Sequence, residues 1–220
     1  TRAGGWLCRE QAQVGDMSSA EWAAKGYARL SARDNVRVLL RTTAFGYYDH
    51  NLVALAERVT DHLSPVQRSA IRQPRQRLWR VRARQVILAT GAQEQPLVFG
   101  NNDLPGIMLA GAARGYLNQY GVRPGTNAIV VTNNDSAYRS ATDLHDAGVR
   151  VSAVVDLRPA ADPELCAALE SRRIRQLPGA GVVQALGRRT LQAVEIAGIR
   201  AGQWQPGEDE KLRCDLLCVS

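Results

Sequence analysis

The stretch Ile129-Val-Val-Thr-Asn-Asn-Asp-Ser-Ala-Tyr138 is laid out as a phosphate-cradling turn, yet it lacks the glycines that such a turn requires. An apolar run precedes it, a helical stretch follows as far as Ala147-Gly148, and a second apolar run, Val149 to Val155, ends on Asp156. This is the order of a βαβ unit with an acidic residue closing its second strand, the position that holds a ribose hydroxyl in dinucleotide-binding folds. Counting back from the helix stop, the glycine positions of the fingerprint fall on Thr132, Asn134 and Ala137. Alanine is tolerated at the third. At the first two, a Cβ atom obstructs both the tight turn and the approach of backbone N–H groups to a pyrophosphate, and the carboxylate of Asp135 repels the same phosphates. A fold retained with its nucleotide seat lost is the expectation.

A second candidate is Val86-Ile-Leu-Ala-Thr-Gly-Ala92, which puts Thr90 and Gly91 at the carboxyl end of an apolar strand. Ligands of open α/β sheets sit at that edge, and glycine admits contact with the backbone. No Ser/His/Asp or Cys/His grouping emerges, so no catalytic residue is assigned. His50, His62 and His145 are isolated in the sequence. Cys8, Cys166, Cys214 and Cys218 lack the spacing of a disulfide framework or a CxxC site. On a strand, Cys214 and Cys218 would stand about 13 Å apart, too far to share a metal without further ligands. No metal site is expected.

The elements that must position these residues follow from periodicity. Ser18 and Glu21 form a capping box before a helix to about Arg33; Val36, Val38 and Leu40 alternate as a strand; another strand runs through Val53 and Leu55. Pro65 and Pro74 bracket a polar loop, and strands are expected at Leu78–Val81 and Val86–Ala89. After a break at Gln95 to Pro105, Ile107 to Tyr120 reads as a helix stopped by Gly121. The βαβ unit comes next, then a short helix from Pro163 to about Arg172, a glycine-punctuated strand region from Ile174 to Ile199, and a last strand from Leu212 to Val219. Strands of a β-meander between helices, followed by a fresh βαβ unit, imply an α/β protein of two domains in series.

At 220 residues with 45% of them apolar, the chain is long enough to bury a core. It opens on Thr1 and closes on Ser220 inside a strand-like run, as a piece of a longer protein would. No run is long enough to span a bilayer and the cysteine usage suits the cytoplasm. The net charge of +7 gathers at Arg58, Arg68, Arg72, Arg75, Arg77, Arg80, Arg82 and Arg84, where Asp61 is the sole acid. With Trp79 the only aromatic among them, nucleic acid is not the expected partner; a solvated loop or docking to an acidic subunit fits better.

Phe45-Gly-Tyr-Tyr-Asp-His-Asn51, Val86 to Phe99, Asn101-Asn-Asp-Leu-Pro-Gly-Ile-Met-Leu109 and Thr132 to Tyr138 together resemble the alpha subunit of heterotetrameric sarcosine oxidase. The resemblance runs from Gly4-Gly5 to Ser220. It implies two Rossmann-like dinucleotide-binding domains of the disulfide-reductase type, the first truncated at its N-terminus. Residues 1–97 would be the partial first domain, completed by 212–220, and 98–211 the second, degenerate one. It also implies NAD in this subunit, FAD and FMN in the holoenzyme, partner beta, gamma and delta subunits, and tetrahydrofolate on a further C-terminal domain. The piece by itself is expected to be inactive.

By the same resemblance, Gly5 and Trp6 follow the ribose-binding acid of the first domain; Trp6 stands where a small hydroxyl residue is usual, which leaves it a main-chain contact or stacking. Ala44 matches the strand end where main-chain atoms meet adenine, Thr90 and Gly91 the turn beside the pyrophosphate, and Ser220 the start of a loop returning toward the nicotinamide. Gln93 and Gln95 replace the His and Arg that flank Glu94 in the family. Related amine or opine dehydrogenases and cyanide-forming glycine oxidases share this architecture, and a non-catalytic assembly module is the reading from outside enzymes.

Overall fold

The first long helix forms where the capping box places it: the Ser18 hydroxyl accepts from the Glu21 N–H at 3.3 Å while the Ser18 N–H donates to the Glu21 carboxylate at 3.1 Å. The computed structural model describes residues 3–205, 207 and 209–220. The chain divides into two units, Thr1–Ala92 and Gln93–Ser220.

In the first unit a minimal hairpin, β1 (Gln13–Val14) with β2 (Met17–Ser18), leads into α1 (Ser19–Ser31). Three antiparallel strands follow as a meander: β3 (Thr42–Tyr48), β4 (Leu52–Arg58) and β5 (Gln76–Arg82). The bracketed polar loop between β4 and β5 carries one short helix, α2 (Pro65–Ser69), with Pro65 in its first turn and Ser64 capping it. Residues 36–40 and 86–89 are not strands. Their apolar pattern is present, but no strand pairs with them among the described residues, and Ile87 is 91% exposed. A strand of a parallel sheet exists only through its neighbours, so the pattern alone cannot form one.

The second unit is built on a parallel sheet. β6 (Ile107–Leu109) leads into α3 (Ala110–Tyr120), so the expected single helix from Ile107 begins as a strand. β7 (Asn127–Thr132), α4 (Ser136–Asp146) and β8 (Arg150–Asp156) make the βαβ unit; α5 (Pro163–Glu170) and β9 (Arg175–Pro178) extend it. An antiparallel layer follows, of β10 (Ala180–Leu186), β11 (Ala193–Arg200), β12 (Gln203–Trp204) and β13 (Glu210–Arg213), before the chain returns as β14 (Leu216–Val219). The sheet order is β6-β14-β7-β8-β9, all parallel.

Why β7 reads as an unbroken apolar run is now physical: both faces of the sheet are covered. Ala128 and Val130 pack with Ala141 and Leu144 on the helical side, while Ile129 and Val131 pack with Val182 and Val194 on the antiparallel side.

Three expectations are corrected here. Residues 212–219 form two strands rather than one, because β13 joins β11 before β14 enters the parallel sheet. The segment 212–220 therefore completes the second unit and not the first: Leu216–Val219 are all buried between β6 and β7. The division between units falls after Ala92 instead of residue 97.

Candidate functional site

The degenerate turn closes on itself. At the end of β7, the Thr132 hydroxyl donates to the Asn134 carbonyl at 2.9 Å and accepts from the Asn134 N–H at 3.0 Å. The Asn134 carboxamide donates to the Ser220 hydroxyl at 3.1 Å and accepts from the N–H and hydroxyl of Ser136 at 3.0 and 2.6 Å. Ser136 opens α4, so the Asn134 oxygen takes the position at the helix N–H that a phosphate oxygen takes in a functional turn. Ser220 is fixed in turn, its N–H donating to Val131 and its carbonyl accepting from Asn133.

The acid that would bind ribose is equally engaged. Asp156 is 1% exposed and accepts from the Tyr138 hydroxyl at 2.9 Å, from the Arg158 N–H at 2.9 Å, and from the Arg158 guanidinium at 2.8 and 3.1 Å. The same guanidinium reaches Asp135 at 2.8 Å. Burial, followed by the Asp156 carboxylate, pushes the Tyr138 phenol well above its ordinary pKa. The hydrogen bond to Asp156, reinforced by Asp135, holds Arg158 more firmly protonated. Asp135, which would repel a diphosphate, is thus an ion-pair partner inside a four-residue staple across the βαβ unit. Tyr138 and Arg158 were missed from the sequence; the spacing Asp156-Leu157-Arg158, an acid and a cation on one side of a strand end, was the available signal.

The other anticipated residues lie in the first unit and are not joined by hydrogen bonds to one another among the described residues. Gly5 opens a short 3-10 helix, Gly5–Arg9. Trp6 is 42% exposed and its indole N–H donates to Glu10 at 2.5 Å, so it is tied to its own helix. Ala44 pairs with Leu55 at a bulge in β3. Thr90 and Gly91 are exposed; Gly91 has φ +73, a backbone that other residues resist, and a Cβ there would touch nothing. The strain argument for glycine therefore rests on the backbone turn. Ser220 is the misplaced one: it sits in the second unit against Asn134, because β14 pairs with β7.

Glu94 has a structural role that its neighbours Gln93 and Gln95 obscured. Its carboxylate accepts from the Gly111 N–H at 2.8 Å and caps α3, whose N-cap residue Leu109 supplies no side-chain bond. No group of three or more metal-ligating side chains occurs among the described residues.

A parallel sheet with helices on one face and an antiparallel layer on the other, preceded by a meander, is the fold of FAD/NAD-binding oxidoreductases of the disulfide-reductase type. Thioredoxin reductase of T. acidophilum superposes with a TM-score of 0.67 over 98% of this chain and 64% of that one at 11% identity. The chain belongs to the family of sarcosine oxidase alpha subunits. It is 44% identical to that subunit of Rhizobium meliloti (strain 1021) over 193 residues, 88% of the chain. It is 40% identical to that of Corynebacterium sp. (strain P-1) over 210 residues, 94% of the chain. The chain spans 19% and 21% of the length of these relatives. No family model matches it.

Proposed function

We propose that this chain is the dinucleotide-holding part of the alpha subunit of a sarcosine oxidase and that it holds NAD through its first unit. The second unit is a self-filled scaffold. The observation that carries this reading is the pair of engagements in the second unit: the Asn134 amide on the first N–H of α4, and Tyr138 with Arg158 on Asp156. The first N–H of α4 and the Asp156 carboxylate are thus already taken by the chain's own groups, which disfavours a diphosphate and a ribose there. Thr90 offers a hydroxyl and Gly91 a positive-φ turn, both exposed, which suits them to a pyrophosphate. Gly5, Trp6 and Ala44 would contribute main-chain contacts, and the fold family's FAD-dependent members support binding of a dinucleotide.

In the whole protein, sarcosine, tetrahydrofolate and oxygen would be converted to glycine, 5,10-methylenetetrahydrofolate and hydrogen peroxide, with FAD and FMN as the redox cofactors and beta, gamma and delta subunits as partners. NAD in this chain would bind and orient without taking part in that balance.

The test is nucleotide release. The intact oxidase is denatured and its dinucleotide identified by mass, for the native protein, for Gly91→Val and for Asn134→Gly. NAD in the native protein, lost from Gly91→Val and retained in Asn134→Gly, is the expected pattern. A protein that releases no dinucleotide is an assembly module and sinks the proposal; loss confined to Asn134→Gly moves the site to the second unit and sinks it equally.

A further inference from the structure

At the opposite edge of the parallel sheet from Asp156, where β8 begins, a cavity of about 410 Å³ is lined by His145, Gly148, Arg150, Ser152, Arg172 and Arg173. Arg150 and Asp156 are the first and last residues of β8, so this cavity and the degenerate turn stand roughly 20 Å apart at the usual rise of a strand. Its volume lies in the range of small-molecule sites.

Its charges divide into two sets. Arg172 is occupied: its guanidinium donates to both oxygens of Asp146 at 2.8 and 2.7 Å and to the Ala168 carbonyl in the last turn of α5. Asp146 also faces His145 at 3.4 Å, so its carboxylate is shared, and Asp143 adds to the negative field on Arg172. Arg150 and Arg173 make no side-chain hydrogen bond or ion pair among the described residues, and neither does Arg123, whose guanidinium lies 3.5 Å from where a Cβ on Gly148 would stand. Arginines that only complemented the carbonyl ends of α4 and α5 would bond those carbonyls, as Arg172 does. Arg173 is instead set by a left-handed backbone, φ +56, in the turn after α5, and Arg150 by the first position of a strand whose next residue, Val151, is buried. Like charges gathered on a concave surface raise the local concentration of anions.

We propose that this cavity binds a small, multiply charged oxyanion, one bearing phosphate or several carboxylates, through the guanidinium groups of Arg150 and Arg173, with Arg123 beside Gly148 as a third cation at its edge. Planar guanidinium groups match the oxygen pairs of either anion. The site is independent of where NAD binds.

Calorimetric titration of the intact protein with inorganic pyrophosphate and with citrate, at fixed ionic strength, tests this. Saturable binding of at least one probe is expected, weakened at least about tenfold in the double variant Arg150→Gln/Arg173→Gln, as loss of charge-assisted hydrogen bonds implies. Preference for pyrophosphate assigns a phosphoryl ligand, and preference for citrate a polycarboxylate. The single variant Arg123→Gln gives a second reading should the double variant melt below the native protein. Absence of binding at millimolar probe, or undiminished binding in a folded variant, overturns the proposal.

Discussion

Replacing Asp156 by alanine separates a structural acid from a ribose-binding one. The substitution removes the acceptor of the buried Tyr138 hydroxyl and four bonds from Arg158, while Arg158 keeps Asp135. Breaking a buried ion pair costs about 3–5 kcal/mol, and stranding a buried hydroxyl about 1–3 kcal/mol. The Arg158 side chain is 30% exposed and can turn to water, which brings the sum toward the low end, roughly 3–4 kcal/mol. For a unit of this size that is on the order of 10 °C in melting temperature. Asp156→Asn keeps an acceptor for Tyr138 and is expected to cost about half as much. The assay is differential scanning calorimetry of the intact subunit, with dinucleotide content measured on the same preparations. A lower melting temperature at unchanged NAD content is expected. Unchanged melting with NAD lost would mean that Asp156 holds a ribose after all, and the staple would be an incidental contact.

Other consequences are more local. Arg114, 4% exposed on α3, reaches Asp143 of α4 at 2.5 Å, so Arg114→Ala is expected to destabilise the second unit by about 3 kcal/mol, read as a lower urea midpoint. Burial pushes the thiols of Cys214 and Cys218 up to about 12, so both should resist a thiol reagent at pH 8 until the protein is unfolded, as counted by mass. Asp215 is partly desolvated, yet its bonds from Thr126 and Asn127 hold its pKa below the ordinary carboxylate value. A depressed folded pKa gives stability that is present above the unfolded value, near pH 4, and fades as pH falls through the lower folded value. The gap in urea midpoint between native protein and Asp215→Asn should accordingly shrink from pH 6 to pH 2.5; a gap independent of pH would refute it.

The second unit was legible because its signals are local and its partners lie within the chain. In the first unit Ser18 and Glu21 announced a helix start in the same local way, and in the second the apolar run Ile129–Val131 announced the strand that became β7. Residues 86–89 carry as good a strand pattern as β7, but what makes a parallel strand is the neighbour, and none pairs with them among the described residues. Ser220 was placed in the wrong unit for a different reason. Its side chain was placed by the topology of β14, which passes between β6 and β7, and strand order in a parallel sheet leaves no periodic trace in the strand itself. Arg158 and Tyr138 were hidden because an internal ion pair and a ligand contact call for the same residue types.

Thr132 and Asn134 fill the turn with hydrogen bonds of their own. A phosphate-free turn exposes the first N–H groups of α4, which need acceptors. Asn134 supplies one at Ser136 N–H and anchors to Ser220 just after the neighbouring strand, so its carboxamide makes the hydrogen bond that a phosphate oxygen would make. To reoccupy the turn, a dinucleotide would have to displace that carboxamide from Ser136 and Ser220 and pull Asp156 from Tyr138 and Arg158. Each such bond to a charged group is worth about 1.5–3 kcal/mol, and a neutral one about 1 kcal/mol. Restoring glycine at Thr132 and Asn134 would therefore remove the block without creating affinity, because the Asp156 staple persists. Recovery of nucleotide binding in the second unit requires Arg158 and Tyr138 to be replaced as well.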